Sequence, residues 1–485
     1  MEYRSTLPLA DSQSPIHDTS PTNLAEARDK FVSLLGQENV ATDPELCHPR
    51  SGSAWSPALS TQAPDIVVFP SSTTDVSDIL KVCHSQNIPV YGYSGGTGLG
   101  GANVSTRRGI CIDFKRMDKI GVLHEDDMDI TVQPGVGWQE LNTFLSDKGL
   151  FFPPDPAPGA KIGGMIAMSC SGTNAYRYGT MKEWVISLTV VLADGSIVKT
   201  RNRPRKSSAG YDLTHLIIGS EGTLGIVTEA VLKLTRAPQN LHVAIATFPT
   251  TSAAVNAAIT VIKSGHYLDA IEFVDKESIV ALNRMEALSD SKMTWEETPT
   301  LFLKFSGSDA VVSLQVNTVR GTARENDCIE FRASSKEEDI TKWWGARKAV
   351  GKALVGMKNT PSDLFITADA AVPISRLAEI IDDTHRVTKN LGLFCSTIGH
   401  IGDGNVHTAI VCPAEQGEVA EKVIKHVQRK ALELEGTVTG EHGVGLHVRD
   451  MLVEEMGHTG VDLMRKIKLA LDPKAILNPD KVFHL

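Results

Sequence analysis

His400 and His407 bracket the segment Ile-Gly-Asp-Gly-Asn-Val, and a Glu441-His442 pair follows between Gly440 and Gly443. Two imidazoles and one carboxylate form a donor set for a first-row divalent cation. Three protein ligands leave coordination positions open, as a catalytic site needs and a closed structural site does not. Zinc and manganese both suit these donors, and the residue types do not choose between them. His442, next to a ligand, is a spare imidazole that titrates near neutral pH and can take a proton.

Gly399, Gly402 and Gly404 around the two histidines argue against a single helix and for two strands flanking a tight turn. Asp403 and Asn405 are turn formers. The spacing predicts strands at 241–248, 270–274, 301–305 and 329–332, alternating with helices at 252–263 and 336–355. Positions 419, 420, 423, 424, 427, 431 and 434 are apolar at helical spacing, which adds a helix over 419–434. This is an α+β domain, and it begins where the texture changes near Arg236. Upstream, strands are predicted at 66–69, 88–93, 110–114, 130–132, 188–192 and 227–234. A helix starts after the Ser/Thr cluster at 71–74.

Gly96, Gly98 and Gly101 satisfy the G-x-G-x-x-G spacing of a nicotinamide site. That site requires a helix directly after the loop to receive the pyrophosphate. Here residues 102–108 are short and polar and another strand follows, which excludes a Rossmann domain. The loop from Ser94 to Gly101 still offers backbone amides to a diphosphate. Two further glycine segments are read as loops of the same kind: Ile162-Gly163-Gly164 leading to Cys170-Ser171-Gly172, and Gly219 to Gly225. Three in one domain point to a large cofactor lying across several loops.

Among 485 residues, 41% are hydrophobic and 22% charged, and the net charge is -10. This is the profile of a globular chain and disfavours nucleic acid as a partner. Seven scattered cysteines without a C-x-x-C pair fit reduced, buried thiols. No apolar run is long enough to span a bilayer. Residues 1–22, rich in Ser, Thr and Pro, contain Glu2 and Asp11 and lack both a secretory core and an Arg-rich presequence character, so they read as a disordered lead-in. The basic cluster from Arg201 to Lys206 reads as a solvated turn between strands.

Longer motifs carry a family resemblance. Pro153-Pro154-Asp155, Gly163-Gly164 and the run from Cys170 to Lys182 resemble the flavoprotein family that includes vanillyl-alcohol oxidase. Lys206 to Thr214, Gly219 to Glu229, Trp344-x-x-Arg347 and Asp472-Pro473 with Asn478-Pro479 narrow it to the D-2-hydroxyacid dehydrogenase branch, nearest its cytochrome-linked D-lactate group. The resemblance implies an α+β fold, an FAD-binding domain of that type plus an α+β cap with an antiparallel sheet. The expected divisions are a lead-in and first helix over 1–60, the FAD domain over 61–238, the cap with the metal motif over 239–435, and a segment returning to the FAD domain over 436–485.

The resemblance places FAD against Pro70, Ser71, Ser94, Gly95, Gly96, Thr97, Gly98, Gly100 and Gly101. It adds Pro154, Asp155, Gly163, Gly164, Ala167, Gly172, Glu221, Gly222, Ile226 and Asn478. Gly100 often has a larger or acidic counterpart in the family, and Asp480 often has a glycine one. The metal would sit on His400, His407 and Glu441, His442 would be the base, and Arg347 would hold the substrate carboxylate through its planar fork. The implied reaction oxidises a small 2-hydroxy acid and passes electrons to cytochrome c in mitochondria; a homodimer is compatible with it. A 2-hydroxyglutarate or glycolate dehydrogenase with another acceptor is the rival, its second cation coming from Lys352 or Lys358. A non-catalytic flavin subunit would lack the base or a ligand, and both are present.

Overall fold

The computed structural model describes residues 16–287 and 294–485. Of the segment expected to be a disordered lead-in, residues 1–15 lie outside the described residues, and Pro21 already opens a helix, Pro21–Leu35. Proline at the first helical position lacks only an N–H that would be unpaired there, which explains a helix start inside a Pro-rich stretch. Two compact units follow: residues 1–172, 179–237 and 441–485 form one, and residues 173–178 with 238–440 the other.

The first unit contains three sheets, the smallest being the antiparallel pair Leu150–Phe151 and Thr235–Arg236; the two larger ones carry the architecture. In one, strands Ile66–Val68, Ile110–Asp113 and Val90–Tyr93 are parallel, and Val40–Ala41 adds antiparallel at the edge. The helix Thr73–Gln86 starts where Ser72 accepts the amide of Asp75 at 3.1 Å, and ends at Asn87 in the left-handed region. The other sheet is antiparallel, in the order Ile120–His124, Asp129–Val132, Ile226–Lys233, Val185–Val191, Ile197–Lys199. Between Val90–Tyr93 and Ile110–Asp113 the structure has a loop and no helix, so the context that excluded a Rossmann site holds.

The segment Ile162-Gly163-Gly164 departs from expectation. It is the first turn of a helix, Ile162–Met168, whose buried residues are Ile162, Met165 and Ile166. That i, i+3, i+4 apolar spacing outweighs the low helix propensity of two glycines. Gly163 is dictated by packing, since a Cβ there would lie 2.6 Å from Pro134. The basic cluster is likewise not between strands: it joins Ile197–Lys199 to the helix Leu213–Ile217, and Arg203 pairs with Asp127 and Asp129 at 2.6 and 2.9 Å.

The final helix, Arg449–Leu471, leads into a segment built into this unit. Lys468, nearly fully buried, donates to Asp472 at 2.6 Å and to the carbonyls of Thr223 and Leu477, both at 2.8 Å. The amide of Val90 donates to Ile476 O and that of Asn478 to Val90 O, each at 2.8 Å, so residues 476–478 extend the parallel sheet.

The second unit is one seven-stranded sheet with every neighbouring pair antiparallel. Its order is Glu330–Ser334, His242–Thr247, Thr300–Phe305, Ala270–Val274, Phe394–His400, Asn405–Cys412, Leu364–Ala371. Alternation along each strand separates two cores. Leu301, Leu303, Phe273 and Ile410 face one, covered by helices Thr251–Lys263, Asp309–Glu325, Leu377–Asn390 and Gly417–Glu433. Val274, Phe302 and Ala409 face the other, under Lys276–Ala287 and Glu337–Val355.

Candidate active site

His400 closes strand Phe394–His400 and His407 lies on Asn405–Cys412, joined by the turn that the glycine spacing implied. The register pairs His400 with Asn405 and His407 with Ile398. Alternation puts both imidazoles on the sheet face that carries Phe302 and Ala409. The rings meet edge to face, centroids 5.3 Å apart, and a ring nitrogen of one lies within 4.8 Å of a ring nitrogen of the other.

Each imidazole faces a carboxylate that sequence reasoning missed. Nδ1 of His400 is 2.9 Å from both oxygens of Glu272, and Nδ1 of His407 is 3.3 Å from Asp369 Oδ1. Hydrogen-bonded through Nδ1, the His400 ring has Nε2 left as its ligand atom, whereas the 3.3 Å approach at His407 is an ion-pair distance. A carboxylate at Nδ1 is the usual way a protein fixes the tautomer and direction of a metal-ligating histidine. Asp369 also accepts from Asn405 Nδ2 at 2.7 Å and, through its other oxygen, from Thr439 Oγ1 at 2.9 Å. Next to Thr439, Gly440 has its backbone so close to Asn405 that a Cβ would lie 2.0 Å from Nδ2, so only glycine fits immediately before Glu441.

Glu272 has a second partner. Arg347 Nη2 is 2.6 Å from Glu272 Oε2, with the two side chains 7% and 1% exposed. The arginine is thus a buried residue on the sheet-facing side of Glu337–Val355, and its Nε is buried without a hydrogen-bond partner among the described residues. Of the lysines offered as a second cation, Lys352 is exposed and Lys358 half-buried. A third group with ligand chemistry, Asp275, Glu277 and His385, is explained by the fold. Asp275 Oδ1 accepts from Ser396 Oγ and from Ser278 N at the start of the helix Lys276–Ala287, and its Oδ2 serves Thr397 N and His385 Nε2, so both oxygens are used within the fold.

Glu441 and His442 open the C-terminal part of the first unit. The turn after them is built from Gly443 and Gly445, both at positive φ, and a Cβ on Gly445 would lie 2.0 Å from Gly100 O. Glu221, expected against FAD, turns its side chain to this segment. Its carboxylate accepts the amides of Val444 and Gly445 at 2.7 and 2.8 Å, because these two donors face a fully buried group that needs them. Burial pushes this carboxyl up to about 7, against the pull of those two amides and of Lys481.

The remaining expected FAD contacts fall on six stretches, 70–71, 94–101, 154–155, 163–172, 222–226 and Asn478. Among the described residues, none of the backbone N–H groups from Gly95 to Gly101 donates to another protein group. A half-buried row of such donors fits a diphosphate, since amides enclosed in protein are otherwise almost always paired. Ser94 Oγ is tied to Pro134 O at 2.8 Å, and Ser71 is occupied by Asp75 at the cap of Thr73–Gln86. Asn478 Nδ2 bridges Ala102 O and Glu221 O at 2.9 and 2.7 Å, which ties two glycine loops together. Gly172 and Gly222 have positive φ, and a Cβ on Gly172 would lie 2.5 Å from Asp155. Asp480 has φ 66 and is held by Arg107 and Thr106; these bonds outweigh burial and lower its carboxyl to about 2.

The class of the protein follows from its relatives, which are flavin-linked oxidoreductases. Residues 64–201 match the family described as FAD binding domain, and residues 237–482 match FAD linked oxidases, C-terminal domain. The chain is 44% identical over 486 residues to the mitochondrial D-lactate dehydrogenase (cytochrome) of Kluyveromyces lactis, which covers 98% of this chain and 84% of that protein. The corresponding enzyme 1 of Saccharomyces cerevisiae is 43% identical and covers 99% and 83%. Among solved structures, 4-ethylphenol oxidase from Gulosibacter chungangensis superposes with a TM-score of 0.76 at 19% identity, covering 97% of this chain and 99% of that one. The chain belongs to the FAD-linked oxidases, with an FAD-binding domain of the vanillyl-alcohol oxidase type and an α+β cap.

Proposed function

We propose that the protein oxidises D-lactate to pyruvate and delivers the electrons to cytochrome c in mitochondria. Near-full-length similarity to two yeast enzymes of that name supports the substrate and acceptor. The observation that carries the chemistry is the pair of histidines, each with Nδ1 facing a buried carboxylate. His400, His407 and Glu441 are the residues that would hold a divalent cation, which lowers the pKa of a chelated hydroxyl. Arg347 presents a buried, unpartnered Nε, suited to one oxygen of the substrate carboxylate, while Glu272 fixes its Nη2. His442 takes the hydroxyl proton. FAD, when bound, supplies the acceptor for the hydride from the substrate Cα.

The test is anaerobic mixing with D-lactate. The flavin absorbance of the wild type should bleach, while His442→Ala should keep its FAD and lose bleaching. Wild-type reduction in that variant, or no bleaching of the wild type with D-lactate, would overturn the reading.

A further inference from the structure

We infer that Glu221 is a positioning residue for the base, holding the turn that carries His442 from within the cofactor loops. The inference rests on the reading of His442 as proton acceptor. Glu221 lies in the glycine segment at 219–225 and is itself fixed on three sides. Its amide donates to Ala167 O at 2.9 Å, its carbonyl accepts Asn478 Nδ2 at 2.7 Å, and the residue is buried. Both carboxylate oxygens go to consecutive amides, Val444 and Gly445, beginning two residues after His442. Two charge-assisted bonds to adjacent amides fix the orientation of a turn as well as its place.

The other side of that turn rests on the first glycine loop. Leu446 N donates to Gly100 O at 2.8 Å, and a Cβ on Gly100 would lie 3.2 Å from His442 O and 3.1 Å from Gly443 O. Gly443 is equally confined, a Cβ there lying 3.0 Å from Glu221 Oε1 and 2.3 Å from Met168. The backbone of His442 and Gly443 is therefore set between Gly100, Met168 and Glu221, all within one unit. An enclosed carboxylate that touched only cofactor would have no reason to spend both oxygens on this turn.

The test compares anaerobic flavin reduction by D-lactate in the wild type, Glu221→Gln, His442→Ala and the double variant, each normalised to bound FAD. Glutamine keeps the shape but turns an N–H toward one of the two amides. Glu221→Gln should keep FAD and an apparent D-lactate dissociation constant within about threefold, and slow reduction about 10- to 100-fold, the cost of displacing a reacting group by a fraction of an ångström to 1 Å. In the His442→Ala background it should slow the residual reduction no more than about twofold. Wild-type reduction in Glu221→Gln, or an equal slowing in both backgrounds, overturns the inference. Wild-type reduction in His442→Ala is a separate failure, of the base assignment, and takes the inference with it. If Glu221→Gln loses FAD, Gly100→Ala decides, because it presses on the same two carbonyls and leaves the Glu221 bonds intact. Slowed reduction there that vanishes in the His442→Ala background supports the inference, and normal reduction overturns it.

Discussion

Glu272 should matter to two measurements that a simple buried ion pair would not link. It is 1% exposed and serves Arg347 at 2.6 Å and His400 at 2.9 Å at once. Glu272→Gln leaves a buried guanidinium without its anion, a loss of about 3–5 kcal/mol. For a unit of this size that lowers the melting temperature by at least about 6 °C. The same change leaves one acceptor oxygen where Arg347 Nη2 and His400 Nδ1 now share two, so His400 is held less firmly, which should weaken divalent-metal binding about 10- to 100-fold. The assay is metal content after dialysis against graded chelator, alongside thermal melts. Adding Arg347→Met removes the stranded charge and should restore much of the melting temperature, but not the metal affinity. Metal retention equal to wild type in Glu272→Gln would refute the orienting role, and equal restoration of both quantities in the double variant would reduce it to stability alone.

Asp369→Asn should also weaken metal binding about 10- to 100-fold while FAD content stays at the wild-type level, since its partners are His407, Asn405 and Thr439; chelator titration with flavin absorbance checks both. The pH dependence of stability should carry the signature of Glu221. Its folded carboxyl stands at about 7 against an ordinary 4.5, so it favours the fold fully below 4.5 and loses that contribution as pH rises through about 7. Denaturation midpoints at about pH 5 and about pH 7.5 should therefore differ less in Glu221→Gln than in wild type.

Much of this was legible in residue patterns. Short apolar runs located strands such as Ala270–Val274, and the glycines around His400 and His407 implied two strands and a turn. The orienting carboxylates were not found, because Glu272 sits inside an apolar run and Asp369 beside alanines, where strand periodicity says nothing about partners across a sheet. A signal was nonetheless present: an acidic residue flanked on both sides by buried apolar residues must have a cationic or hydrogen-bonding partner. The helix at Ile162–Met168 was obscured by its glycines, although its apolar spacing was in plain view. The role of Glu221 depends on two amides more than 200 positions away, and no local pattern encodes such a contact.

The way residues 476–478 complete the parallel sheet beside Val90 bears on how the chain is made. Nearly four hundred residues separate these partners, so during synthesis the cofactor-binding unit waits for this edge until the ribosome has passed residue 478. Until then Val90–Tyr93 presents an unpaired border, a period when a holding chaperone would find its target. Removal of a short stretch from the C-terminus would therefore harm the portion made first, while the seven-stranded sheet, complete by residue 412, would be spared.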